Sequence, residues 1–386
     1  MKQKSLPGDF QVDERIGPLP EGGSYALYRL AKRGLGTPEA VGAVLRRWRV
    51  RRDQVAYGGL KDRHALTTQH LTIHRGPRRG LKQTAFELAY LGQVARPLSS
   101  KDVLGNRFQI VLRDLSGEQV AQAVQTLPIV RRDGLPNYFD QQRFGSVGQS
   151  GEFVARAWCA GDYKRAVWLA LADLNPHDRP GQRAAKQWLQ DHWGDWPKAL
   201  ERSRELPARE VLAYLADRPG DFRRAMARFR PDQRSLFLAA YQSHLWNRML
   251  AELLRQRCRP AQLTDASLGG WSVPLFRELD ADQRAALGAI ALPLPCARMR
   301  SEAGPWKELL DRVLAPEGLT LAQLRVKYPR DSFFSKGVRA ALFTVDRLEH
   351  ETGSDERYPG RHRLTLRFEL ARGCYATIVT RRIAMA

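Results

Sequence analysis

The chain has 386 residues, with 63 lysines and arginines against 41 aspartates and glutamates, a formal net charge of +22. Such an excess points to a polyanionic partner without separating RNA from DNA or an anionic membrane surface. No run approaches the roughly 20 apolar residues of a membrane span, and Met1 to Pro7 lead into no apolar signal segment, so a soluble, cytoplasmic protein is the expectation. The length suits two domains, and Cys159, Cys258, Cys296 and Cys374 form no C-x-x-C pair, which argues against structural zinc or a disulfide framework.

In chain order, Asp9-Phe10-Gln11-Val12-Asp13-Glu14 offers two apolar positions, Phe10 and Val12, read on their own as core of an edge strand. Gly17 to Ser24 nearly spells a phosphate-binding loop but has no lysine where one is needed. Ser24 to Lys32 alternates as a strand, with Ala26, Tyr28 and Leu30 on one side. Thr37-Pro38-Glu39 then predicts a helix start, with Thr37 as cap, and Val41, Val44, Leu45 and Trp48 as its buried face. Its end is crowded with arginines, a solvated face or a phosphate contact.

Tyr57-Gly58-Gly59-Leu60-Lys61-Asp62-Arg63-His64-Ala65-Leu66-Thr67-Thr68-Gln69 is the stretch around which the chain is organised. The glycine pair permits tight or left-handed turns, and Gln69 to Arg75 alternates as a strand with Leu71 and Ile73 inward. A carboxylate, Asp62, is therefore delivered on a loop tied to a sheet. Its neighbours Lys61 and Arg63 favour the ionised form, which can act as nucleophile, base or metal ligand. His64, His70 and His74 lie close in sequence, but no further ligand has metal-site spacing.

Beyond the loop, residues 108–113 read as a strand and Ser116 to Gln119 as a capping box opening a helix. Pro136 to Gly145 forms a second motif-rich loop. From about 150 to 330 helical patterns dominate, the longest over Gln233 to Arg257, with His244 in its apolar stripe as a satisfied core histidine. Residues 341–345 and 363–370 return to alternation. The whole predicts an α+β protein: residues 1–149 and 331–386 as one discontinuous domain, carrying 150–330 as a mainly helical insertion.

Gly59-x-Lys61-Asp62-Arg63-x-Ala65-x-Thr67-x-Gln69 resembles the signature of the TruD family of pseudouridine synthases. Asp9 to Glu14 resembles the family's D-F-x-V-x-E, with Lys4 at the place of its active-site lysine, and Asn137 to Gly145 resembles N-Y-F-G-x-Q-R-F-G, with Asp140 in place of a glycine. The resemblance implies a mixed, largely antiparallel sheet domain with a family-specific RNA-binding insertion. It also implies isomerisation of a uridine in tRNA, at position 13 of the D arm in bacterial members. Asp62 would be the catalytic residue, with Lys4, Phe10, Lys61, Asn137, Phe139, Gln142 and Arg143 toward the substrate; Phe139 would stack on the base and Asn137 read its edge. The chemistry needs no cofactor or metal, and no obligate protein partner is evident. A non-catalytic RNA-binding or chaperone protein is the alternative. A metal-dependent nuclease would need a second carboxylate at recognisable spacing, which the sequence lacks.

Overall fold

A computed structural model describes residues 1–202, 208–299 and 306–385. Contacts divide the chain into one unit of Met1–Leu135 with Phe343–Ala386 and a second of Pro136–Leu342.

The first unit is built on a nine-stranded sheet. Its strands are β1 (Phe10–Ile16), β2 (Glu21–Arg33), β3 (Val55–Tyr57), β4 (Leu66–His74), β5 (Leu81–Gln83), β6 (Phe86–Val94), β7 (Val103–Leu115), β8 (Asp346–Ser354) and β9 (His362–Ala371). The order is β8-β9-β7-β1-β4-β2-β6-β5, with β3 also on β4. Only β1 and β4 run parallel, with Val12 opposite Thr67; β1 meets β7 antiparallel, placing Glu14 opposite Asn106. The two N-terminal motifs are thus side by side in the middle of the sheet. The loop ahead of β4 and the segment ahead of β1 consequently emerge at the same end.

Helix α1 (Thr37–Trp48) lays Ala40, Val41 and Val44 on Tyr28, Leu30, Leu71 and Ile73 of the sheet, the alternating inward positions that a half-buried strand presents. The cap differs from expectation. Gly36 occupies the N-cap position and no side chain caps the helix, because the Thr37 hydroxyl is engaged by Lys61 and Gln69. Helices α2 (Gly117–Asp133) and α3 (Ala376–Ala384) complete this unit, the former opened by the expected Ser116 box.

The second unit is mainly helical. Its longest helix, Pro231–Arg257, buries Leu238, Tyr241, Leu245, Trp246, Met249 and Leu253. The unit also holds a hairpin, Leu263–Leu268 with Trp271–Phe276, that helical periodicity does not announce. Its turn is Gly269-Gly270, at φ of +62° and +94°, a conformation open to glycine at no steric cost. Among the described residues no helix is long and apolar enough to cross a membrane.

Candidate active site

Asp62 sits on the loop between β3 and β4. One carboxylate oxygen accepts a short hydrogen bond from the Lys4 ammonium, and the other accepts from the His64 N–H at 3.1 Å. The side chain is 20 % exposed and that of Lys4 29 %, open enough to meet a substrate and closed enough for the pair to be felt. Burial alone would raise the Asp62 pKa, but the Lys4 hydrogen bond and charge and the His64 N–H overcome it, leaving the carboxyl below its ordinary range.

The flanking cations do not supply that charge. Lys61 turns to Glu14 at 2.9 Å and Asn106 at 2.8 Å, and Arg63 turns to Glu39 at 3.3 Å. Both neighbours are engaged by other carboxylates, so Lys4, 58 positions away, is the cation that Asp62 meets.

Lys4 is held rather than trailing. Lys2 exchanges main-chain hydrogen bonds with Arg113 of β7, and Asp9, buried and bonded to the Arg113 guanidinium at 2.9 and 3.0 Å, also accepts from the Leu6 N–H. Lys4 itself adopts φ +56°, a left-handed conformation that non-glycine residues adopt uncommonly. Its ammonium lies 4.4 Å from the centre of the Phe10 ring, a cation–π contact, and Phe10 packs edge-on against Phe108. Phe10 is 7 % exposed, so it forms the floor beneath Lys4.

The loop backbone is clasped by buried polar groups. Thr37 Oγ1 accepts from the Lys61 N–H at 3.0 Å and donates to Gln69 at 2.7 Å; Gln69 in turn donates to the Gly59 carbonyl. Lys32, on the apolar side of β2, donates to the carbonyls of Asp62 at 2.8 Å and Lys61 at 3.3 Å. Burial drives its pKa down to about 8 against the pull of Asp62 and Glu39. Gly58 does not use a left-handed turn. A Cβ there would stand 2.2 Å from Val103 Cγ2, so the glycine is required for close approach.

Glu14, the last residue of the first motif, has a side chain with no exposure, paired with Lys61 and accepting from the His70 N–H at 2.8 Å. Burial raises its pKa, and His70 and Lys61 more than reverse that, so it stays ionised. The sequence named the motif without giving Glu14 a task. Lys32 carried a legible signal: it continues the alternation of Ala26, Tyr28 and Leu30, a lysine where an apolar residue belongs.

Lys4, Phe10, Lys61 and Asp62 therefore come together within the first unit. Asn137, Phe139, Gln142 and Arg143 belong to the second. There, Asn137 donates to the Ala340 carbonyl at 3.1 Å and its side-chain and main-chain oxygens accept from Arg339. Phe139 is 8 % exposed, with the Arg339 guanidinium 4.1 Å from its ring centre and Trp246 edge-on at 5.5 Å. It is not the open stacking platform expected of it, because a guanidinium and an indole already cover it. Asn247 fixes the Phe139 main chain by accepting from its N–H at 2.8 Å and donating to its carbonyl at 2.9 Å. Gln142 and Arg143 are exposed, Arg143 also touching Ser243 at 3.2 Å.

A family model described as tRNA pseudouridine synthase D (TruD) matches residues 1–268 and 276–383. The chain belongs to the TruD family. That membership makes it an RNA pseudouridine synthase, an isomerase. Among relatives, a probable tRNA pseudouridine synthase D 2 of Methanocaldococcus jannaschii is 29 % identical over 388 residues, covering 99 % of this chain and 91 % of the relative. The tRNA pseudouridine synthase D of Aquifex aeolicus is 27 % identical, covering 98 % and 97 %. The solved structure of a putative TruD from Methanosarcina mazei superposes with a TM-score of 0.72 at 24 % identity, over 100 % of this chain and 93 % of that one, and so shares the mixed α+β fold.

Proposed function

We propose that this chain converts one uridine of a tRNA, at position 13 in the D arm, to pseudouridine in the cytoplasm, with Asp62 as the catalytic carboxylate. The observation that carries the reading is the Lys4–Asp62 pair on a loop clasped from three sides. The reaction breaks the bond from N1 to C1′, turns the uracil, forms a bond from C5 to C1′ and releases the C5 proton. It needs neither redox change nor energy input. As nucleophile at the sugar or ring, or as base at the sugar, Asp62 is useful only ionised, which is the state that Lys4 and the His64 N–H maintain. Lys4 also stands where it can offset negative charge on the detached uracil.

The +22 charge favours the RNA backbone, and extruding the target base costs a few kcal/mol. Gln142 and Arg143, exposed on the second unit, are suited to backbone contacts. For Phe139 to stack on a base, a face of its ring has to be released by the Arg339 or Arg143 guanidinium, 4.1 and 5.6 Å from its centre.

The test is tritium release from tRNA labelled at uridine C5, for the parent and for Asp62→Asn, with EDTA present. Release that ignores EDTA and falls by about 10³-fold or more in the variant is expected, while Asp62→Asn still binds tRNA. Tight, salt-sensitive binding with no release from any tRNA would leave only an RNA-binding function.

A further inference from the structure

Within the second unit, a cavity of about 410 Å³ is lined by His244, Arg248, Arg255, Trp271 and Arg312, among others. Pockets of a few hundred cubic ångströms suit a single small ligand. His244 belongs to the long helix and is 7 % exposed, with its ring 4.7 Å from both Phe153 and Trp271. Among the described residues its ring makes no side-chain hydrogen bond, and its nitrogens are not sealed in the interior but open onto the cavity. A polar ring edge open to a cavity of this size can be met by an occupant that donates or accepts a hydrogen bond there. Burial, then the Arg248 charge, pushes its pKa down to about 3, so the ring is neutral and offers one N–H donor and one acceptor.

The other walls are complementary in kind. Trp271 follows the Gly269-Gly270 turn and is backed by Phe153, with ring centres 5.4 Å apart, a rigid aromatic surface. Arg248 is paired with Glu317 and Arg312 with Glu252. Arg255 is exposed and has no carboxylate partner among the described residues. An aromatic wall, a neutral donor–acceptor ring and an unneutralised guanidinium are the groups that hold an unstacked base and its phosphate.

We propose that this cavity takes a single nucleotide, with its base against Trp271 and the His244 ring and its phosphate at Arg255. Asn247, which also lines the cavity, clasps Phe139 from the same helix, so an occupant adjoins the group that fixes the second motif. The inference rests on the RNA reading only for the source of the nucleotide. A residue of a bound RNA and a free mononucleotide present the same chemistry.

Photocrosslinking separates these sources. The full chain is irradiated with 4-thiouridine 5′-monophosphate, or with a single-stranded RNA of about 12 nucleotides carrying one 4-thiouridine, and the adducts are mapped by peptide mass spectrometry. The expected adducts fall on the Leu263–Phe276 hairpin or around His244, from the RNA if the site serves a strand and from the monophosphate alone if it serves a free nucleotide. His244→Phe keeps an aromatic ring between Phe153 and Trp271 and should weaken binding several-fold to about tenfold. Arg255→Glu, on an exposed position, should weaken it comparably without disturbing folding. Adducts from neither probe in these segments, or yields unchanged in both variants, would overturn the proposal. The readout does not depend on turnover: an inert isomerase with intact adducts would count against the Asp62 reading and leave this one standing.

Discussion

The two motif-bearing loops are held by different chemistry. The Asp62 loop is fixed by charges and hydroxyls drawn from strands and a helix that are distant in sequence: Lys4, Glu14, Lys32, Thr37 and Gln69. The Asn137–Phe139 segment is fixed mainly by hydrogen bonds to and from main-chain groups, with the Asn247 amide and the Arg339 guanidinium as its side-chain partners and the carbonyls of Ala340, Ala341 and Pro274 as acceptors. A carboxylate that must stay ionised while half-buried needs compensating charge around it. A segment presenting an amide and a ring needs only its main chain satisfied. The first arrangement should therefore respond to pH and to charge-neutral substitution, and the second to loss of hydrogen bonds at any pH.

The largest effect on stability is expected at Glu14. Glu14→Gln keeps the acceptor for His70 but leaves Lys61, only 11 % exposed, without its countercharge, which should cost about 3 kcal/mol in urea denaturation at neutral pH. The folded Glu14 pKa is lowered, so its contribution is present above the unfolded glutamate pKa of about 4.3 and is lost as pH falls through the folded value. The gap between parent and variant should accordingly close in acid. A gap that is constant with pH would mean that Glu14 acts by packing.

Lys4→Met should lower tritium release about 10²-fold at neutral pH. With Lys4 gone, the largest opposition to burial of the Asp62 charge is lost and the His64 groups remain, so the acid limb of the kcat profile should move to higher pH. A uniform drop with no displacement of that limb would assign Lys4 to substrate binding alone.

Asn247→Ala tests the other loop. It strips partners from the buried N–H and carbonyl of Phe139, and a loss of about 2 kcal/mol is expected, independent of pH. Equal sensitivity to pH in this variant and in Glu14→Gln would erase the distinction between the loops.

How much of this was legible follows from range. The strands around Ala26, Leu71 and Leu366, the Ser116 cap and the long helix are local patterns, and they appear where periodicity puts them. The pairing of Lys4 with Asp62 entered only through the resemblance, since nothing in a tail lysine specifies its partner. That Lys61 and Arg63 look away from Asp62 was hidden because adjacency in sequence is not adjacency in space. Thr37 read as a cap because the cue is local, whereas its actual partners, Lys61 and Gln69, come from the loop ahead of β4 and from β4 itself.

Lys32 gives the smallest and most discriminating effect. Its ammonium bonds two loop carbonyls, yet burial lowers its pKa to about 8, so holding the charge opposes folding while ordering the loop. Lys32→Met should therefore lower kcat only about fivefold, with KM nearly unchanged and stability equal to or above that of the parent. Between about 8 and the unfolded lysine value of about 10.4, the unfolded chain keeps a proton that the folded parent has released. This group thus makes parental stability rise with pH across that window, and the rise should vanish in the methionine variant. The deficit in kcat should narrow over the same window, because the parent has by then lost its own ammonium. A deficit that persists unchanged above pH 8 would show that the length of the side chain, and not its charge, positions the Asp62 loop.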